Sequence, residues 1–184
     1  MKLNETNLDS CHDEALILIR QAGFNPIPAL PSDIQQLQSV IGYKLPSSIS
    51  KWLASCNGCA SGPGGLFGIR PDDTRLDILS KYRLYPTWRN KGWIPVAGDG
   101  CGNYYVATPD PPLDAPMFFV DTAIDCEKLD YVVASDVRAF AFFLLDRESG
   151  HEGWPFGREW VLRIDSGILA ASLAPLPWKV DEQS

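Results

Sequence analysis

Two cysteines separated by two residues have a spacing that permits thiol or metal chemistry. Cys56 and Cys59 could form a redox pair or half of a zinc site. Cys56 falls at the predicted end of a helix, where the helix dipole opposes thiolate formation. A zinc site needs further ligands, and the chain has no second pair at ligand spacing. The remaining cysteines and histidines are Cys11, Cys101, Cys126, His12 and His151. We therefore expect packed cysteines, with no metal and no cofactor.

The glycine-rich segment at residues 98–103, Gly-Asp-Gly-Cys-Gly-Asn, resembles the glycine fingerprint of a dinucleotide-binding loop. Such a loop requires a following helix whose N-terminus faces the phosphates, whereas a strand is predicted here. Glycine and asparagine tolerate positive φ, and Asp99 or Asn103 can hydrogen-bond to nearby backbone. The segment therefore predicts a tight β-hairpin turn rather than a nucleotide site.

A group of carboxylates at Asp72, Asp73 and Asp77 could hypothetically serve acid–base or metal chemistry. Arg70 and Arg75 interleave with them, and a solvated loop explains the pattern equally well. Nucleophilic catalysis lacks support, because the chain has two histidines and no Gly-x-Ser-x-Gly elbow. We expect a protein that is not an enzyme, with a small hydrolase or redox enzyme as the least favoured alternative.

Negative charge is concentrated in one short stretch of the chain. The net charge is −7, and residues 110–136 contain one basic and seven acidic residues. Six of these carboxylates surround two predicted strands and are the candidate partner-binding residues. They are Asp110, Asp114, Asp121, Asp125, Glu127 and Asp130. They are either solubilising loop charge or a docking surface for a basic protein. The same charge disfavours direct binding to nucleic acid.

Helical spacing of apolar residues predicts three helices in the first third of the chain. The first covers residues 13–22 and ends at Gly23. The second covers 32–41, with Ser32 and Gln35 as a capping box and Gly42 just past its end. The third begins at Pro46 and ends before Asn57-Gly58.

Short runs of β-branched and aromatic residues predict four strands at 93–96, 104–107, 117–120 and 131–134. Their short connections favour an antiparallel meander. Ser135 is the predicted cap of a helix that packs on this sheet. Beyond it we predict a strand at 160–164 and a brief helix near 168–173.

Composition limits the class and the compartment of the protein. The chain has 184 residues, of which 45% are hydrophobic and 21% charged, as in ordinary globular domains. Its longest apolar run is interrupted by Asp136 and Arg138, so we expect no membrane span. The N-terminus lacks the basic flank of a secretory signal, and five cysteines suit a reducing compartment. We therefore expect a cytoplasmic protein.

Several motifs in a fixed order resemble the SUKH superfamily, which comprises bacterial immunity proteins and fungal cell-wall-assembly regulators. They are the helix and its cap, a central strand and turn, and Ala134-Ser135 leading to Phe140. The matching structural positions are Pro46, Trp52, Asn57, Gly58, Trp93, Pro95, Asp99, Gly100, Gly102 and Asn103.

The resemblance implies an α+β fold with a twisted antiparallel sheet flanked by helices. It also implies a non-catalytic protein-binding domain, in the leading hypothesis an immunity protein that neutralises a cognate toxin, often one that attacks nucleic acid. A regulatory scaffold module is the alternative. We predict one domain over residues 1–184, with a motif-matched core at about 31–145 and a C-terminal extension at 146–184 that packs on it.

Overall fold

The computed structural model describes residues 2–180 and confirms the α+β class. Its α-helices are α1 (Lys2–Gln21), α2 (Pro31–Ile41), α3 (Ser47–Leu53), α4 (Ile78–Leu84), α5 (Pro86–Asn90), α6 (Thr122–Asp125), α7 (Val137–Glu148), α8 (Arg158–Ile164) and α9 (Pro177–Val180). A 3-10 helix spans Ser166–Ala170. The strands are β1 (Ile94–Gly98), β2 (Tyr104–Ala107), β3 (Met117–Val120) and β4 (Tyr131–Ala134).

The four strands form one antiparallel sheet in the order β1-β2-β3-β4, which confirms the predicted meander. Strands β2, β3 and β4 have the predicted bounds. The pairing of β1 with β2 shifts register between Pro95 and Ala97. Proline has no N–H to donate to a neighbouring strand, so its place in the outer strand β1 is consistent with its chemistry.

Both faces of the sheet are covered, which explains why its strands are apolar throughout. On one face the ring of Tyr105 lies 5.0 Å from that of Phe140 in α7. On the other face the ring of Tyr104 lies 5.5 Å from that of Trp88 in α5. Helix α1 packs on the outside of α7. The core therefore has helices on both sides of one sheet.

Two predicted helix caps are wrong, although both helices exist. Helix α2 begins at Pro31, and the Asp33 carboxylate accepts a hydrogen bond from the Leu30 N–H at 3.1 Å. The predicted box with Ser32 does not form, because Pro31 is suited to the first turn and starts the helix earlier. Helix α7 is capped by Asp136, whose carboxylate accepts from the Arg138 N–H at 2.9 Å.

The predicted strand at residues 160–164 is also wrong, because this segment is helix α8. Short apolar runs do not distinguish a strand from a buried helix by periodicity alone. The free side of β4 is already occupied, since the Val132 N–H donates to the Pro175 carbonyl at 3.0 Å. Helix α8 instead packs Trp160 against Phe143 of α7, with ring centres 5.1 Å apart.

Two carboxylates attach the C-terminal extension to the core. Asp165 is fully buried and accepts hydrogen bonds from the N–H and the hydroxyl of Ser135 at 2.7 and 2.5 Å. Asp110 accepts from the N–H and the hydroxyl of Ser172 at 2.5 and 2.6 Å. Such packing is consistent with the predicted single domain, whose first residue and last four residues lie outside the described residues.

These two carboxylates are expected to make the stability of the fold depend on pH in opposite directions. Burial raises the pKa of Asp165 above its ordinary value, although the bonds from Ser135 oppose the shift. Burial also acts to raise the pKa of Asp110, but the bonds from Ser172 and Leu173 dominate and lower it. A raised folded-state pKa stabilises the fold in acid and loses that stabilisation as pH rises, and a lowered one does the reverse.

We therefore expect the stability of the native chain relative to Asp165→Asn to fall as pH rises from about 4 to about 7. Relative to Asp110→Asn, it should rise as pH increases through about 4, because the folded-state pKa of Asp110 lies below the ordinary value, and it should change little above about pH 5. Urea unfolding at several pH values measures both differences. Parallel slopes for the two variants would contradict this assignment.

Candidate functional site

The six predicted partner-binding carboxylates do not form one surface. Asp110 is only 3% exposed, and its oxygens are bonded to the C-terminal extension. Asp114 lies at the surface, but one of its oxygens accepts from the Ser48 N–H at 2.8 Å and from the Ser47 hydroxyl at 3.1 Å. These two carboxylates hold the β2–β3 connection to other segments, and we leave them out of the candidate site.

Asp121 and Asp130 shape the loop between β3 and β4. The Asp121 carboxylate accepts from the N–H groups of Ala123 and Ile124 at 3.0 and 3.2 Å and thereby caps α6. Asp130 accepts from the Asp121 N–H at 2.7 Å. Both carboxylates are partly exposed, so each retains a surface facing solvent while it fixes the loop.

The exposed part of the acidic segment has an apolar centre. Ile124 is 79% exposed, more than any other large hydrophobic side chain of the described residues. Asp125 and Glu127 are also exposed, and the Glu127 N–H donates to Asp125 at 2.9 Å. We call Asp121, Ile124, Asp125, Glu127 and Asp130 the acidic edge.

An open groove of about 400 Å³ borders the acidic edge and includes the side chains of Ile124, Asp121 and Asp130. Phe119 and Tyr131 line it from the sheet, with their rings stacked at 5.1 Å. Burial and the nearby Asp130 charge raise the pKa of Tyr131 to about 12, so its hydroxyl stays protonated at neutral pH. The groove therefore combines an aromatic wall with an exposed isoleucine and two carboxylates.

Two lysines offset part of the negative charge at this site. The Lys91 ammonium lies 3.3 Å from the Glu127 carboxylate and donates to the Glu127 carbonyl at 2.6 Å. Lys128 lies 3.9 Å from Asp130. The four carboxylates of the acidic edge thus carry more negative charge than the two ammonium groups neutralise. Asp125 forms no ion pair among the described residues.

The other candidate groups are either buried or paired with arginines. Cys56 and Cys59 are 0% and 6% exposed, with their sulfur atoms 3.9 Å apart. The hydrogen bond to Cys59 and burial raise the pKa of the Cys56 thiol. Asp72 and Asp73 pair with Arg70 and Arg75. Within the described part of the chain, no three His, Cys, Asp or Glu side chains form a group that could hold a metal ion.

The glycine-rich turn joins β1 to β2, as predicted, and it also supports the acidic edge. Asp99 accepts from the N–H groups of Cys101 and Asn103 at 2.7 and 2.9 Å, which closes the turn. The side-chain oxygen of Asn103 then accepts from the Thr122 N–H at 3.1 Å. The Gly102 carbonyl accepts from the Thr122 hydroxyl at 2.8 Å. The turn therefore positions the first residue of α6.

Comparison with protein-family models identifies a family for this chain. The model of the SMI1 / KNR4 family (SUKH-1) matches residues 28–141. This chain belongs to that family. A comparison with curated proteins finds no match. Membership supports a role in protein interaction, as an immunity or regulatory domain of the generally non-catalytic SUKH kind. No described helix is both long and apolar enough to cross a membrane.

In this SUKH-1 chain, four of the predicted motif residues make close contacts within the fold. Trp52 and Trp93 are buried in the core. The Asn57 side chain accepts from the Ile69 N–H at 2.6 Å and donates to the Ile69 carbonyl at 3.1 Å. Gly58, with φ of +73°, lies against Gly68, so that a Cβ on Gly58 would be 2.8 Å from the Gly68 nitrogen. These contacts lock the loop after α3.

Sequence reasoning missed helices α4 and α5 of the SUKH-1 fold, although both had local signals. Asp77 caps α4 by accepting from the Ser80 N–H at 2.9 Å, and Pro86 occupies the first turn of α5. Both are recognised start signals. Trp88 of α5 donates its indole N–H to the Cys126 carbonyl at 2.6 Å. Helix α5 is therefore a direct support of the acidic edge.

Proposed function

We propose that this protein is a cytoplasmic immunity protein that binds and covers a basic toxin domain through the acidic edge, without catalysing a reaction. The observation that carries the proposal is the position of Ile124, which is 79% exposed and flanked by carboxylates. An exposed apolar side chain within a charged rim has the anatomy of a protein-binding surface.

The charge of the acidic edge supports a basic partner. A toxin that acts on nucleic acid is basic where it holds phosphates, and carboxylates can occupy that surface. Asp125 is the carboxylate best placed for this role, because it is exposed, follows Ile124 directly and forms no ion pair among the described residues. Glu127 is also exposed, although Lys91 pairs with it. Charge of this kind acts mainly by accelerating association, since it steers the two proteins together.

The surroundings of the acidic edge support a surface that keeps its shape on binding. The turn at residues 98–103 bonds to Thr122, and Trp88 bonds to Cys126. Preorganisation of this kind reduces the entropy lost on association. The carboxylates are therefore presented on a fixed loop rather than on a loose one.

A pull-down with the tagged protein at low and high salt, followed by mass spectrometry, would yield candidate partners. Each basic candidate is then expressed alone and together with this protein. Growth arrest by the candidate, relieved by co-expression, is the expected result. Several unrelated partners without toxicity would favour the regulatory scaffold, and a harmless basic partner would contradict the immunity role.

The acidic edge itself is tested with Asp125→Asn/Glu127→Gln. Once a partner is identified, we expect its association rate constant to fall about tenfold at low salt, with little change in thermal stability. Both substituted side chains are exposed, and asparagine can still accept the Glu127 N–H. Stopped-flow or surface-plasmon measurements give the rate.

The matched control is Asp13→Asn/Glu14→Gln, which makes the same change in net charge at exposed positions of α1. Its association rate should stay close to that of the native chain. Equal slowing by both double variants would mean that overall charge, rather than the acidic edge, steers the partner.

A further inference from the structure

A second open groove, of about 370 Å³, lies between α2, α4 and α5. Its apolar walls include Val40, Leu79 and Pro86, and its polar side chains include Arg83, Arg89 and Asn90. We call these six residues the arginine groove. Val40 is 45% exposed, so the apolar wall is open to solvent.

The arginine groove is positive in a chain whose net charge is −7, and no carboxylate lines it. Arg89 donates its Nε–H to the Ile41 carbonyl at 2.9 Å, which holds the guanidinium in place. Within the described residues, Arg89 has no ion-pair partner. Arg83 lies 3.6 Å from Asp77, but its side chain is 68% exposed. The terminal nitrogens of Arg89 are therefore suited to bind a carboxylate from outside.

The acidic edge presents the complementary chemistry. It places one exposed isoleucine beside exposed carboxylates, whereas the arginine groove offers an apolar wall beside guanidinium groups. The two surfaces are also neighbours, because Arg89 and Asn90 of the groove immediately precede Lys91, which bonds to Glu127. Two copies related by a twofold axis can make the same contact twice when complementary surfaces lie side by side.

We propose that the arginine groove receives the acidic edge of a second copy of this chain. Ile124 of one copy lies against Val40, Leu79 and Pro86 of the other, and Asp125 pairs with Arg89. The chain therefore self-associates through two reciprocal contacts. This contact uses the surface proposed for the toxin, so a basic partner and a second copy compete for it. The self-association does not depend on the toxin-binding role.

Charge reversal tests this contact without knowledge of any other partner. The groove variant is Val40→Glu/Arg89→Glu, and the edge variant is Ile124→Lys/Asp125→Lys. Each variant alone brings like charges together, so we expect its self-association to weaken at least about tenfold. An equal mixture restores opposite charges in both contacts and should associate again.

Sedimentation velocity over a concentration series is the measurement. The native chain should move from 20.3 kDa toward twice that mass, with weaker association at high salt. Matched controls are Arg20→Glu/Arg158→Glu and Asp13→Lys/Glu14→Lys, which change exposed charges elsewhere and should associate like the native chain. Circular dichroism checks that every variant is folded.

Arg89→Glu removes the bond to Ile41, so the single variants Val40→Glu and Ile124→Lys provide a second test at exposed positions. Each should weaken association, and their mixture should recover it. A native chain that stays monomeric up to its solubility limit would overturn the proposal. Association that survives both charge reversals, or a mixture that fails to associate, would do the same.

Discussion

Replacement of Trp154 with alanine is expected to lower the free energy of unfolding by about 3–5 kcal/mol. Trp154 is 4% exposed and packs against Tyr105, Phe140 and Phe143. Its indole N–H donates to the Val133 carbonyl at 2.9 Å. The substitution creates a cavity between the sheet, α7 and the C-terminal extension and also removes the indole donor from the Val133 carbonyl.

Urea unfolding followed by both tryptophan fluorescence and circular dichroism measures this loss and tests the proposed single domain. The two signals should coincide for the native chain, because the extension and the sheet share the contacts of Trp154. Phe156→Ala is the control in the same segment, since that side chain is 49% exposed. A Trp154→Ala loss below about 1 kcal/mol, or separate transitions, would indicate an extension that unfolds by itself.

The substitution Gly68→Ala is expected to lower the free energy of unfolding by about 3 kcal/mol or more. A Cβ there would lie 2.5 Å from the Gly58 nitrogen and would also overlap the Asn57 carbonyl carbon. Both contacts are backbone atoms, so no side-chain rotation can relieve them. The Asn57 bonds to Ile69 would be strained by the same displacement.

Gly92→Ala is the matched control for Gly68→Ala. Gly92 has φ of +69° but no atom within 4 Å of a Cβ, so its substitution costs the positive-φ penalty alone, about 1–2 kcal/mol. Thermal or urea unfolding of both variants gives the comparison. Equal losses of unfolding free energy in the two variants would mean that the overlap between Gly68 and the backbone of Asn57 and Gly58 is relieved at little cost.

The sheet could be predicted from sequence because each of its strands carries a local signal. β-Branched and aromatic residues fill β2 to β4, and the turn at residues 98–103 has the residues that positive φ requires. Helix α8 could not be separated from a strand, because its short apolar run fits both patterns. In the folded chain this helix packs Trp160 on Phe143, a contact between separate elements that the local pattern does not contain.

The acidic site was predicted only as a stretch of charge. Linear sequence shows that Asp110 and Asp125 share a sign, but it does not show that Asp110 is buried against Ser172 while Asp125 is exposed. Nothing in the sequence marked Ile124 as a binding residue, because a lone isoleucine between carboxylates is normal in a helix. Its importance comes from its exposure, which the fold determines.

The hydrogen bonds along the two outer strands affect how this protein can meet other chains. The Phe67 N–H donates to Val96 of β1 at 2.7 Å, and the Val132 N–H of β4 donates to Pro175 at 3.0 Å. These bonds occupy main-chain groups that strand addition or edge-to-edge aggregation would use. Strand addition is thereby disfavoured, which favours contacts through exposed side chains, and these can be substituted one at a time without disturbing the sheet. A change of partner then requires only surface substitutions, while an amyloid-type extension of the sheet is resisted at both of its sides.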